Sequence, residues 1–270
     1  MDKKALLEWH MEAGADEAVG DEAVDYFASG EWRVTSDEKK NTSQHPVQPP
    51  LTTHHSPLAT QSPLHHSPSA AIAASRALAD KAATLAELEA AVRSFDGCAI
   101  KKTANKTVFS DGNPQGRVMI IGEAPGAQED IQGIPFCGPS GKLLDAMLAA
   151  IGLTRAANVY ISNTVFWRPP GNRQPSPEET STCLPFVEKH IALVKPALLI
   201  LSGGTATTTL LRKDTSISRL RGKFYDYTNP YLETPIPTVV TYHPSYLLRS
   251  PAQKRLAWND LLMIKDFLAK

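Results

Sequence analysis

The chain has little of several things that would assign a protein at once. It carries no net charge, 28 Lys and Arg against 28 Asp and Glu, so the whole-chain balance gives no sign of an anionic or cationic partner. Three cysteines in 270 residues cannot build a disulfide framework, which fits a reducing compartment. No run of eighteen apolar residues occurs, which argues against a membrane-spanning helix. The opening Met1-Asp2-Lys3-Lys4-Ala5 leads into acidic sequence rather than an apolar signal core, so a cytoplasmic protein with no membrane partner is expected. Histidine is scarce outside one segment: only His10, His190 and His243 lie beyond residues 41–69.

The zero charge is an average over unlike parts. Residues 1–40 hold 11 acids and 5 bases, residues 41–69 hold no Asp, Glu, Lys or Arg, and residues 70–270 hold 17 acids and 23 bases. A segment of net −6 is thus joined through an uncharged stretch to a body of net +6. The uncharged stretch, with six prolines and five histidines, lacks the apolar periodicity needed to order a backbone and reads as a flexible linker. Its pairs His54-His55 and His65-His66 have nothing to fix a metal geometry. Residues 1–40 show short helix-like apolar spacing around Trp9 and Phe27. The sequence leaves open whether they dock on the main domain or on a repair or replication partner.

Residues 70–94 read as a connecting helix, with Leu78, Leu85, Leu88 and Val92 on one face. The main domain is expected over residues 95–270, and from Arg117 onward apolar strands alternate with helices. Strands are expected at 118–121, 159–162, 197–201 and 237–242, and helices at 141–153, 205–212 and 251–268. A further helix opens at Ser176, with Ser176 as N-cap, Pro177 first inside and Glu179 as the capping-box partner. Repeated strand-helix units imply a three-layer α/β/α sandwich around a mainly parallel four-stranded sheet. Ligands in such sheets bind beyond the carboxyl ends of the strands.

The segments at those ends are unusual. Strand 118–121 is followed by Gly122-Glu123-Ala124-Pro125-Gly126 with Glu129-Asp130, then Pro135-Phe136-Cys137-Gly138. The second strand leads to Asn163 and Arg168-Pro169-Pro170-Gly171-Asn172-Arg173, the third to Ser202-Gly203-Gly204, and the fourth to His243-Pro244-Ser245-Tyr246-Leu247-Leu248-Arg249. Gly138-Pro139-Ser140-Gly141-Lys142-Leu143 superficially suggests a phosphate loop, but its glycine spacing is wrong and Leu143 stands where a Mg-binding hydroxyl is needed. Gly122 to Gly126 lacks the three glycines of a dinucleotide site. Taken singly, His243 reads as a turn residue, Phe136 as core and Asn163 as a helix cap. Together they fall on one edge of one sheet.

In this order and spacing the motifs resemble those of the type-4 uracil-DNA glycosylases, over about residues 95–270. The resemblance implies an enzyme that flips uracil out of DNA and hydrolyses its N-glycosidic bond, leaving an abasic site for base-excision repair, as a monomer acting on uracil-containing DNA near the nucleoid. It implies Glu123, His243 and Asn163 as catalytic residues. Phe136 would stack on the flipped base, and the Asn163 amide would pair with the uracil O4 and N3–H edge. Glu129 would crowd C5, where thymine carries a methyl group, with Gly122 and Ala124 forming the rest of the pocket. His243 would donate to uracil O2 as the leaving group becomes anionic. Asn172, Ser245 and Arg249 would lie near the DNA backbone, and Leu247 would fill the vacated stack. In type-1 relatives an Asp stands at the place of Ala124, so a dissociative reaction is expected, with Glu123 orienting the water.

Two departures from the family follow. Type-4 enzymes hold a 4Fe-4S cluster with four thiolates, and the matching positions here are Phe95, Cys98, Trp167 and Cys183. Neither Phe nor Trp can ligate iron, and Cys137 belongs to the pocket motif. The expectation is therefore no cluster, no cofactor required for the chemistry, and an apolar plug of Phe95 and Trp167. A sister group that crosslinks to DNA through a His in an inserted Arg-rich loop has its counterpart here at residues 216–223, which contain no His and no insert. Arg219, Arg221 and Lys223 read there as a phosphate-contacting patch or a solvated loop. Two rival functions stay open: a weakly active or inactive DNA-binding accessory of the same fold, and a glycosylase for another deaminated base.

Overall fold

The computed structural model describes residues 68–269. The acidic segment and nearly all of the linker, with its paired histidines, lie outside the described residues. The first helix, α1, spans Pro68–Lys81, so the last two residues assigned to the linker belong to a helix. A second, α2, spans Leu85–Ser94. The single helix expected over this region is thus two, because Thr84 and Glu87 start a new one. Thr84 Oγ1 accepts from the Glu87 N–H at 3.2 Å and Glu87 Oε2 accepts from the Ala83 N–H at 2.7 Å. Leu88 and Val92 are fully buried, with Leu78 and Leu85 packed beside them, as their spacing requires.

The sheet has six strands in the order β1-β3-β2-β4-β6-β5. The four expected parallel strands are β2 (Val118–Gly122), β3 (Val159–Asn163), β4 (Leu198–Ser202) and β6 (Ile236–Thr241). The four-stranded expectation is corrected by two antiparallel edges, β1 (Asp111–Gly112) beside β3 and β5 (Phe224–Tyr227) beside β6. Two and four residues are too few to show strand periodicity. Chain order reverses about β2, which places the switch-point crevice at the ends of β2 and β4.

Every residue of β2, β3 and β4 is buried, because helices cover both faces of the sheet. Met119, Ile121, Leu199 and Leu201 pack on one side against α1, α2, α5 (Pro177–Val194) and α6 (Gly204–Leu211). Val118, Ile120, Leu198 and Ile200 pack on the other against α4 (Pro139–Ala149), α8 (Pro244–Arg249) and α9 (Lys254–Leu268). Two short helices, α3 (Ala127–Gln132) and α7 (Ile217–Leu220), lie in the connections. The α5 start is built as its sequence indicates: Ser176 Oγ accepts from the Glu179 N–H and Glu179 Oε2 from the Ser176 N–H, at 3.2 and 2.8 Å. Arg173 adds a two-pronged ion pair to Glu179, which ties the Pro-rich loop to the helix.

The α1 helix is part of this body. Arg76 donates to the buried Glu188 carboxylate at 2.6 Å, and Tyr231 donates to Asp80 at 2.5 Å. Among the described residues no helix is long and apolar enough to cross a membrane.

Candidate active site

An open cleft of about 860 Å³ lies across the carboxyl ends of the parallel strands, lined by Glu123, Glu129, Phe136, Asn172, His243 and Arg249 among others. Two close approaches explain the glycines at its floor. A Cβ on Gly122 would come within 2.4 Å of the Phe136 ring and 2.5 Å of Asn163 Oδ1, so only glycine lets aromatic and amide lie over the end of β2. A Cβ on Gly141 would sit 1.6 Å from the Phe136 carbonyl oxygen. The phosphate-loop-like Gly138 to Lys142 is thus the helix start against which Phe136 is packed.

Phe136 is held in a left-handed backbone conformation, φ 51°, which costs energy for an aromatic residue. Arg155 supports it. Its guanidinium donates to the carbonyls of Pro135 at 2.7 Å and Phe136 at 2.5 Å, and is itself anchored on Asp111 and Asp145. From the other side, Glu129 Oε1 accepts the N–H groups of Cys137 and Gly138 at 3.0 and 2.9 Å, and Oε2 accepts that of Gly126 at 3.1 Å. Glu129, expected as a pocket wall, therefore also braces the loop that carries the aromatic. Its neighbour Asp130 is turned inward, buried on the backbone of Asn105 and Lys106.

Asn163 ends β3 and is 1% exposed. Its Oδ1 has no hydrogen-bond partner, and neither does its Nδ2 among the described residues. Buried amides are nearly always satisfied within the protein, so one with both donor and acceptor uncommitted beside a cleft suits a ligand carrying the complementary pair. The following Thr164 fixes the strand end: its hydroxyl donates to the Glu123 carbonyl at 2.6 Å and its N–H to the Gly122 carbonyl at 3.0 Å.

His243 precedes Pro244 at the start of α8, with its ring centroid 5.3 Å from that of Phe136. The backbone N–H of Ser245 donates to His243 Nδ1 at 3.2 Å, and the Ser245 hydroxyl lies 2.8 Å from the same atom. A backbone N–H can only donate, so Nδ1 is an acceptor and the neutral ring carries its proton on Nε2. Burial, with Arg249 adding to it, pushes the imidazole down to about 4, so the ring is neutral at pH 7. Ser245, expected near the DNA backbone, places its hydroxyl on this ring and sets the tautomer.

Helix register alters one expectation. Leu247 is fully buried and belongs to the core beneath the sheet, whereas Leu248 is 43% exposed. Leu247 cannot enter a base stack without leaving the core. Arg249 and Asn172 are exposed at the cleft, and Asn172 Oδ1 accepts from Arg168 at 2.7 Å. Ala124 lines the cleft beside Glu123. Arg221, read as part of a phosphate patch, is instead committed to the fully buried Asp260, which also accepts from Thr241; Arg219 and Lys223 remain exposed.

The four residues that the resemblance matches to cluster ligands form a buried corner between α2, α5 and the segment after β3. Cys98 and Cys183 are both buried. The neighbouring Cys98 thiol, together with complete burial, raises the Cys183 thiol well above its usual range. Phe95 packs edge-on against Phe186 at 5.2 Å and covers Gly97, where a Cβ would come within 2.4 Å of its ring. Trp167 is 1% exposed, donates from Nε1 to Thr107 at 3.0 Å and takes Lys101 over its ring. Two thiols and two aromatic rings do not fit a cluster needing four thiolates, and among the described residues no group of three or more His, Cys, Asp or Glu could hold a metal ion.

Comparison with known proteins agrees with this architecture. The family model of the uracil DNA glycosylase superfamily matches residues 109–262. The chain is 37% identical over 183 residues to a type-4 uracil-DNA glycosylase of Saccharolobus solfataricus, covering 66% of this chain and 83% of that one. It is 35% identical over 183 residues to the type-4 enzyme of Pyrobaculum aerophilum, covering 66% and 92%, and 35% identical over 182 residues to that of Thermotoga maritima, again covering 66% and 92%. With matches of this extent, the chain belongs to the uracil DNA glycosylase superfamily, within its type-4 family.

Proposed function

We propose that this protein removes uracil from DNA by hydrolysing its N-glycosidic bond, and that it does so without an iron-sulfur cluster. The observation that carries the reading is the pairing of an uncommitted, buried Asn163 amide with a neutral His243 whose Nε2–H has no partner among the described residues. An amide offering one donor and one acceptor matches the O4 and N3–H edge of uracil. An N–H held beside the pocket matches the charge that develops on O2.

In this reading a uracil is extruded from the duplex and stacks on Phe136. The C1′–N1 bond breaks heterolytically, its electron pair passing to the base as an N1/O2 anion stabilised by the His243 Nε2–H. Such a donor is worth ~3 kcal/mol of transition-state stabilisation. Water then adds to C1′ of the oxocarbenium-like sugar while Glu123 orients it, and the departing proton neutralises the uracil anion through solvent. Glu129 and the Gly122 to Ala124 turn close the pocket around C5, and Asn172 and Arg249 take phosphates of the bent strand. Leu248 fills the gap left by the base, in place of Leu247. Phe95 and Trp167 occupy the corner that thiolates would otherwise crosslink through iron.

The test is incubation with oligonucleotides bearing U:G, U:A, single-stranded U, T:G or hypoxanthine, followed by alkaline cleavage. Cleavage at uracil alone is expected. Cleavage confined to hypoxanthine would reassign the substrate, and binding without cleavage would support an accessory role. Iron and acid-labile sulfide on the purified protein, with visible absorption, are expected to be absent.

A further inference from the structure

Resting on that reading, we infer that Thr205 and Gln174 are positioning residues for the water-orienting carboxylate of Glu123. Neither belongs to a segment singled out by the family motifs. Thr205 lies in the first turn of α6, directly after the Ser202-Gly203-Gly204 exit of β4, and is 7% exposed. Its hydroxyl donates to Glu123 Oε2 at 2.5 Å and accepts from Gln174 Nε2 at 2.8 Å. The directions are fixed by chemistry: a carboxylate at neutral pH only accepts, an amide nitrogen only donates, and a hydroxyl has one proton to give. A chain therefore runs from the Gln174 amide through the Thr205 hydroxyl to the Glu123 carboxylate, each bond polarising the next.

Its consequence is geometric. The Glu123 carbonyl is already held by Thr164, so the relay fixes the remaining freedom of the residue, its side-chain torsions. With Oε2 taken by Thr205, Oε1 has no partner among the described residues and is left to the cleft that Glu123 lines. The Thr205 backbone sits where Gly203, at φ 100°, turns the chain from β4 into α6 beside His243; a Cβ on Gly203 would come within 3.0 Å of the His243 Cβ. The turn that seats Thr205 under Glu123 thus also makes room for the residue facing the leaving group. Gln174 joins the two halves of the site, since it follows Arg173 in the loop that places Asn172 at the cleft.

The experiment is single-turnover uracil release by the full chain at saturating and sub-saturating enzyme, for Thr205→Val, Thr205→Ser, Gln174→Leu and Glu123→Ala. Thr205→Val is expected to lower the rate constant about 10- to 100-fold, the effect of losing one hydrogen bond to a charged group. Half-saturation should stay within about twofold, because the relay does not touch DNA. Thr205→Ser should recover to within about threefold of wild type, and Gln174→Leu should lose roughly three- to tenfold. In a Glu123→Ala background, Thr205→Val should cost less than about twofold more, the non-additivity expected of residues acting through one group. A merely structural Thr205 would lower melting temperature and add its loss in both backgrounds. Should Thr205→Val fail to fold, Gln174→Leu and Thr205→Ser carry the test. Wild-type rates for Thr205→Val, or full additivity with Glu123→Ala, would overturn the relay while leaving the proposed function intact. Absence of uracil release by the wild-type protein would overturn that function first and the relay with it.

Discussion

The cleft at the strand ends and the corner beneath α2 and α5 have fared differently in this chain. Glu123, Phe136 and His243 line the cleft, and the buried Asn163 lies behind them at the end of β3. In the corner two of four cluster positions hold aromatic rings. The physical demands on the two regions explain this. The cleft must place particular donors and acceptors against particular atoms of a base, and no apolar residue substitutes for an amide or an imidazole N–H. The corner, by contrast, lies between α2, α5 and the segment after β3, and its residues contact one another through apolar surface. Closely packed rings fill that space: Phe95, Phe166, Trp167 and Phe186 are buried and contact one another edge to face.

The sharpest way to break this comparison is to damage each region and read both activity and stability. His243→Ala and Asn163→Ala are expected to slow uracil release roughly 100- to 1,000-fold while the urea midpoint stays close to wild type. Trp167→Ala should do the opposite, costing ~3–5 kcal/mol of stability with the single-turnover rate of the folded fraction retained. A Trp167→Ala protein that is fully stable yet inactive would show that the corner serves the chemistry rather than the fold.

The next contrast is between adjacent leucines. Leu247→Ala should destabilise by ~2–5 kcal/mol, as expected for a fully buried leucine. Leu248→Ala should leave the melting temperature unchanged and slow release several-fold from duplex DNA, but hardly from single strands, where no stack is vacated. Equal losses on both substrates would remove Leu248 from the wedge role.

The third concerns pH and has the smallest expected effect. His243 is pushed down to about 4 and the fully buried His190 to about 3, both chiefly by burial. The unfolded chain protonates these imidazoles near 6.5 while the folded one does not. Between pH 6.5 and about 4 the unfolded state therefore binds more protons, and stability must fall as pH falls through that window. Catalysis that uses neutral His243 should persist to well below pH 6.5, its acid limb lying near 4. A limb at 6.5 would mean that His243 titrates like an exposed imidazole.

Much of this was legible in the sequence, and the exceptions share a cause. The four parallel strands announce themselves as apolar runs, so Asn163 and His243 are found by their place after them. The burial of Leu247 was not legible because its exposure depends on how α8 rotates after Pro244, which residue type alone does not fix. Arg155 gave no signal, since it reaches the Phe136 carbonyl from a loop 19 residues away. The split between α1 and α2 was hidden by continuous Ala-rich helix-forming sequence around Thr84.

One measurement bears most directly on the account: single-turnover release of uracil from duplex DNA by the full chain, with iron determined on the same sample. Release of uracil by protein containing no iron is expected. Stoichiometric iron, or an iron-free protein that binds the duplex and releases no base, would contradict it.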